Sequence, residues 1–157
     1  MIRFSKWHGI GNDFVMIDGF SQQQNWEALA SQFCDRRFGV GSDGLIVAVP
    51  GEQQRFRMRM WNPDGSESEM CGNGIRCFAR FVTELGLTDD PTIPVETGAG
   101  LLQLQLLQDG RVRVDMGSAR LERHEIGMEG DPHSRFVNEM FEASGREFSG
   151  TAVSMAE

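Results

Sequence analysis

The chain has 157 residues, 39% of them hydrophobic and 24% charged, with a formal net charge of -8. That length carries one medium domain with a real core, or one domain and the start of a second, and the composition excludes a disordered chain. The negative charge argues against a nucleic-acid partner, no stretch approaches the ~20 apolar residues of a membrane helix, and the opening Met1 to Lys6 lacks a signal-peptide core, so a cytoplasmic location is expected.

Taken in chain order, the first segment reads as a strand. Gly9-Ile10-Gly11-Asn12 is a turn, and Phe14 to Ile17 is a second strand closed by Asp18-Gly19. Asn25 is an N-cap for a helix through about Arg36, because Trp26, Leu29, Ala30, Phe33 and Cys34 recur at helical spacing. Cys34 is therefore expected in the core. Leu45 to Val49 and Arg55 to Met60 follow as strands, the second with Phe56, Met58 and Met60 on one face and three arginines on the other. Asn62-Pro63-Asp64-Gly65 is a turn.

From Ile75 to Leu85 the spacing predicts a helix ending at Gly86. Its polar residues Arg76, Arg80, Thr83 and Glu84 occupy one narrow stripe, so the helix must be surrounded by other elements. Further strands are expected at Thr92 to Thr97, Leu101 to Leu107 and Arg111 to Met116, the last two joined through Asp109-Gly110. The expected fold is α+β: an antiparallel sheet rolled around a central helix, as one full domain over residues 1–117 with the beginning of a second over 118–157. In the latter the signal weakens, and no clear period returns until Thr151 to Met155.

Several motifs yield to ordinary readings. Gly39-Val40-Gly41-Ser42-Asp43-Gly44 matches the dinucleotide pattern, but a helix precedes it and a strand follows, the reverse of what a pyrophosphate site needs. His8, His124 and His133 are scattered without close pairing on a helix, so no metal site is expected. Three cysteines in irregular spacing do not form a disulfide framework, and the one lysine, Lys6, disfavours pyridoxal phosphate. No cofactor is expected.

The run Met70-Cys71-Gly72-Asn73-Gly74-Ile75-Arg76-Cys77 is the strongest feature. A thiol just before a helix meets the positive end of the dipole and free backbone N–H groups, which favour a thiolate; flanking glycines let a ligand approach. Cys77, six positions on, lies roughly 240° around the helix from Cys71 and belongs to the core.

Together with Lys6-Trp7-His8-Gly9-Ile10-Gly11-Asn12-Asp13-Phe14 and Asn62-Pro63-Asp64-Gly65-Ser66-Glu67, this run resembles the amino-terminal half of diaminopimelate epimerases. The resemblance covers residues 1 to about 117 and continues weakly to Ala152-Val153-Ser154-Met155. It implies two similar domains, each a sheet rolled around a helix, with a cysteine from each acting on opposite faces of the substrate α-carbon. Cys71 matches the first of these. By the same resemblance Asn12 and Asn62 bind the amino-acid substrate, diaminopimelate, and Gly72 and Asn73 offer backbone donors to its carboxylate. Gly44 stands where some members carry a substrate-touching glutamine.

The second cysteine and most of the second domain of such enzymes have no counterpart in these 157 residues. The expectation is an amino-terminal half that is inactive alone and takes as partner a separate carboxyl-terminal half or a second copy of the chain. Two alternatives stand beside this reading: a proline racemase or hydroxyproline epimerase, with a similar cysteine turn, and a non-catalytic interaction domain that keeps only the rolled sheet.

Overall fold

The computed structural model describes residues 1–155; Ala156 and Glu157, the end of the expected second-domain segment, lie outside the described residues. The chain divides into two compact units, Met1–Asp115 and Met116–Glu157.

The first unit opens with a hairpin of β1 (Ser5–Gly9) and β2 (Asn12–Asp18). Its two-residue turn holds Ile10 at φ 51° and Gly11 at φ 95°, the doubly left-handed geometry that matches strand twist. Helix α1 (Trp26–Cys34) starts at Asn25, whose side chain accepts from the Ala28 N–H, so this cap is where the sequence places it. Strands β3 (Gly44–Pro50), β4 (Phe56–Trp61) and the short β5 (Glu67–Ser68) precede helix α2 (Gly72–Glu84). Strands β6 (Thr92–Thr97), β7 (Gly100–Leu106) and β8 (Val112–Asp115) follow.

These strands form one eight-stranded sheet in the order β1-β2-β3-β4-β6-β7-β8, with β5 beside the end of β4. Helix α2 packs against β1, β2 and β3 and also against β7 and β8, so opposite ends of the sheet curl around the same helix. The rolled sheet on a buried helix is thus present as expected. Its pairing is mixed rather than wholly antiparallel: β2 runs parallel to β3, and β4 to β6. Each parallel pair needs a crossover, and α1 and α2 supply them. The two helices seen in the sequence are the connections that an antiparallel reading leaves out.

Layering explains the apolar runs. Val15, Ile17, Leu45, Val47 and Trp61 pack with Leu29, Ala30 and Cys34 of α1. Phe14 and Ile46 face the other way, onto Gly74 of α2. Both faces of β2 and β3 are therefore covered, and Phe14 to Ile17 and Leu45 to Ala48 are wholly buried without alternation. Along β4 the expected alternation holds, with Phe56, Met58 and Met60 buried between half-exposed arginines. At the end of α2, Gly86 lies at φ 69°; its N–H donates to Thr83 O and that of Leu87 to Val82 O, a Schellman cap.

The second unit holds a 3-10 turn at Arg123–Glu125 and a hairpin of β9 (Glu139–Ala143) and β10 (Arg146–Gly150). The hairpin turns at Ser144-Gly145, both at positive φ. Thr151 to Met155 is irregular apart from a bridge between Ser154 and Arg120. Among the described residues no helix is long and apolar enough to cross a membrane.

Candidate active site

Cys71 is the N-cap of α2, in extended backbone at φ -145° and ψ 121°. Its carbonyl accepts the first helical bond from the Ile75 N–H at 2.8 Å. No side chain caps this terminus, so the N–H groups of the first turn carry the positive end of the helix dipole with no protein acceptor from a capping side chain. Cys71 is half-buried, whereas Cys34 and Cys77 are buried, and burial pushes both of those thiols up. The Ser42 hydroxyl donates to Cys34 Sγ at 3.1 Å, which completes a packed interior environment. Cys77 is in the core, as its place around the helix predicts.

Asn12, the first residue of β2, lies against Cys71. Its Oδ1 accepts from Cys71 Sγ at 3.6 Å and from Asn73 Nδ2 at 3.3 Å. The orientation of this amide has a cause. Asp43 Oδ2 accepts from Asn12 Nδ2 and from the Asp13 N–H, each at 2.9 Å. A carboxylate only accepts, so it takes the amide's NH2 end and leaves Oδ1 facing the thiol. On the far side Arg76 donates to Asn73 Oδ1 at 2.5 Å, which turns the Asn73 NH2 toward Asn12.

Arg36 ties the outer end of this chain, with Nη2 at 2.7 Å from Asp13 and 2.6 Å from Asp43. Lys6 joins Asp13 as well. The Arg36 guanidinium holds the Asp13 carboxyl far below the usual carboxylate range, against an opposing push from burial and with help from Lys6. For Asp43 the main causes of a lowered value are the bonds from the Asp13 N–H and the Asn12 amide. Both groups are thus fixed as anions that orient Asn12. Sequence reading misses Arg36, Asp43 and Arg76, since charged residues in a Gly-rich connection or on a helix look like solvated surface; the closeness of β2 to the start of β3 brings Asp43 and Arg36 to Asn12, and Arg76 reaches Asn73 from the next turn of α2.

The glycines here have separable roles. A Cβ on Gly9 would lie 3.1 Å from Asn73 O, and one on Gly74 would lie 2.7 Å from Ile46 Cδ1, so both permit close packing under the helix start. A Cβ on Gly72 would meet nothing within 4 Å. The fold does not need that glycine, and the space beside Cys71 stays open. At Gly44 a Cβ would come within 3.0 Å of Met60 Cε and 3.1 Å of Trp61 O, a crowded place for a larger side chain.

Of the residues singled out from the sequence, hydrogen bonds join Asn12 to Cys71 and Asn73, with Gly72 between the last two in the chain. Asn62 sits in its own turn, where its side-chain amide donates to Ser66 Oγ at 3.0 Å. Of the histidines read as scattered, His124 and His133 come together in the second unit, with ring centroids 5.3 Å apart.

The family model of diaminopimelate epimerase matches residues 4–122. This chain belongs to the diaminopimelate epimerase family. Relatives named diaminopimelate epimerase include that of Moorella thermoacetica, 49% identical over 160 residues, and that of Desulforudis audaxviator, 50% identical over 159. Each alignment covers 98% of this chain and 57% of the relative, so the chain spans little more than half the length of these family members. The fold is also that of a hydroxyproline epimerase from Agrobacterium vitis, with TM-score 0.62 at 15% identity, covering 97% of this chain and 48% of that one. A probable proline racemase from Agrobacterium radiobacter K84 gives TM-score 0.61 at 19% identity, covering 77% and 43%. In this chain the geometry unites the cysteine turn and the Asn12 hairpin.

Proposed function

We propose that this chain supplies one half of a cofactor-independent diaminopimelate epimerase site, with Cys71 as the acid/base group on one face of the substrate α-carbon. The observation that carries the reading is the placement of a half-buried thiol at an uncapped helix N-terminus, hydrogen-bonded to an asparagine whose orientation is fixed.

In its deprotonated form Cys71 takes the α-proton, which restores the S–H that Asn12 Oδ1 accepts, while the electron pair of the broken C–H bond moves into the adjacent carboxylate. The N–H groups of Gly72 and Asn73 are the donors for that developing charge, and fixed dipoles of this kind take the part of a cofactor's electron sink. A proton returned to the opposite face completes inversion. Cys34 and Cys77 are buried, so the second group comes from outside the set of cysteines in these 157 residues.

Asn12 orients Cys71 and Asn73 and contacts substrate, and Asn62 completes the binding set on the strength of the resemblance. Residues 1–117 form the first domain and 118–157 the beginning of the second, with a carboxyl-terminal half as the natural partner and the cytoplasm as the site of action. The identity to diaminopimelate epimerases favours that substrate over proline or hydroxyproline, since the solved racemase and hydroxyproline epimerase share the fold at under 20% identity.

Titration with LL-diaminopimelate, followed by amide chemical shifts, tests the binding half of this proposal. Shifts should concentrate at Gly72, Asn73 and the side chain of Asn12. A saturating ligand that leaves those signals unmoved removes the reading.

A further inference from the structure

We propose that Glu122, His124 and His133 form a binding site for a divalent transition-metal ion, zinc above all, in the second unit. Each of the three offers one ligand atom, and these atoms all lie within 4.8 Å of one another. Glu122 Oε2 is 3.1 Å from His133 Nδ1, and the His124 ring lies beside it, with the nitrogen that is turned to the backbone, Nδ1, 3.5 Å from the same oxygen. Two imidazoles and a carboxylate are a donor set that zinc accepts, with a fourth position for water; magnesium and calcium prefer oxygen donors alone. Bonds of about 2.0 to 2.2 Å to a tetrahedral ion bring donor atoms to roughly 3.5 Å apart, so small side-chain rotations close the set.

The scaffold under these residues is already tied. The Arg123 N–H donates to Ser134 O at 2.9 Å, and its guanidinium donates to Ser134 Oγ at 3.0 Å, Glu129 O at 3.0 Å and Glu139 Oε2 at 2.6 Å. These bonds join the segment bearing Glu122 and His124 to the turn bearing His133. A β-bridge between Glu122 and Arg135 adds a second tie. His124 Nδ1 lies 2.8 Å from Pro132 O. An imidazole that gives its Nδ1–H to a backbone carbonyl presents the Nε2 lone pair, the outer arrangement that commonly orients a metal-binding histidine. The nine-residue spacing of the two histidines hides the pair from a sequence reading, because the intervening turn brings them together.

A bound ion would clamp the loop between residues 122 and 134 and raise the unfolding temperature of the second unit by mass action. The test is titration of the chain with zinc chloride against a competing chromogenic chelator, in parallel with cobalt(II) absorption. One ion should bind per chain, and His124→Ala or His133→Ala should weaken binding at least tenfold. His133 is 81% exposed in its side chain, so its replacement leaves the fold intact, and Glu122→Gln gives an independent reduction. The cobalt spectrum should lack thiolate charge-transfer absorption, since no cysteine is in the set. Unchanged affinity in the double histidine variant, a thiolate band lost in Cys71→Ser, or no binding below millimolar metal would each overturn the proposal.

Discussion

Cys71 Sγ donates to Asn12 Oδ1 at 3.6 Å, across 59 positions of sequence, and the same oxygen accepts from Asn73. This contact links a hairpin at the edge of the sheet to the start of its central helix. Everything proposed about chemistry rests on that meeting point, and the surrounding ion pairs exist at the right distance to hold it.

Cys71 should react fastest of the three thiols under native conditions. Cys34 and Cys77 are 2% and 5% exposed, so alkylating them requires local opening, and every 1.4 kcal/mol of opening slows reaction about tenfold. Limited alkylation with peptide mapping reads the order directly. Equal labelling of Cys77 would place it at the site instead.

Stability should fall in acid through Asp13 and Asp43. Both carboxyls lie below their ordinary range in the folded protein, so their contribution is fully present above the unfolded carboxylate value of about 4 and is lost as pH drops through the folded values. Arg36→Ala should lower stability only modestly at neutral pH, given that the arginine is 58% exposed and its ion pairs are screened by solvent, and should flatten the acid dependence. Urea midpoints at neutral and acidic pH check both; an unaltered pH dependence in the variant would detach Arg36 from the two aspartates.

Gly72 and Gly74 should respond oppositely to alanine. At Gly74 the new methyl meets wholly buried Ile46, and overpacking of this kind costs about 1 to 3 kcal/mol, partly offset by about 1 kcal/mol of helix propensity. At Gly72 nothing obstructs the methyl, so stability should stay within about 0.5 kcal/mol of the parent while affinity for diaminopimelate falls. Thermal unfolding paired with ligand titration separates the two. A Gly72→Ala protein that binds normally would show that the open space is not where the carboxylate approaches.

The hairpin of β9 and β10 should exchange its amide hydrogens faster than the central strands β2 and β3. Most of its residues are exposed, including Met140, Phe141 and Phe148, and a two-stranded ribbon is marginal by itself. Phe141 stacks on Phe148 at 5.7 Å, which gives the ribbon one internal contact. Protection equal to that of β2 would contradict this ranking.

How far the sequence discloses this structure depends on the range of each interaction. Asn25, the alternation of Phe56, Met58 and Met60, the polar stripe of α2 and the position of Cys71 before it are local patterns, and each is legible. The parallel partners of β2 and β4 are not, because pairing direction is set by crossovers rather than by the strands themselves. The β9–β10 hairpin carries a turn signal in Ser144-Gly145, but its strands lack a strong apolar face to mark them. Arg36, Asp43 and Arg76 carry no local mark of their role; their meaning comes from which asparagine they hold.

The most direct measurement of the central claim is conversion of LL- to meso-diaminopimelate by this chain joined to the carboxyl-terminal segment of the Moorella thermoacetica relative. Two-base inversion needs one positioned group on each face of the α-carbon, and loss of such a group costs about 100- to 10,000-fold. The joined protein should turn over, its Cys71→Ala variant should show a drop of that size, and the 157-residue chain alone should show no turnover. Undiminished turnover by Cys71→Ala, or turnover by the chain alone, would contradict it.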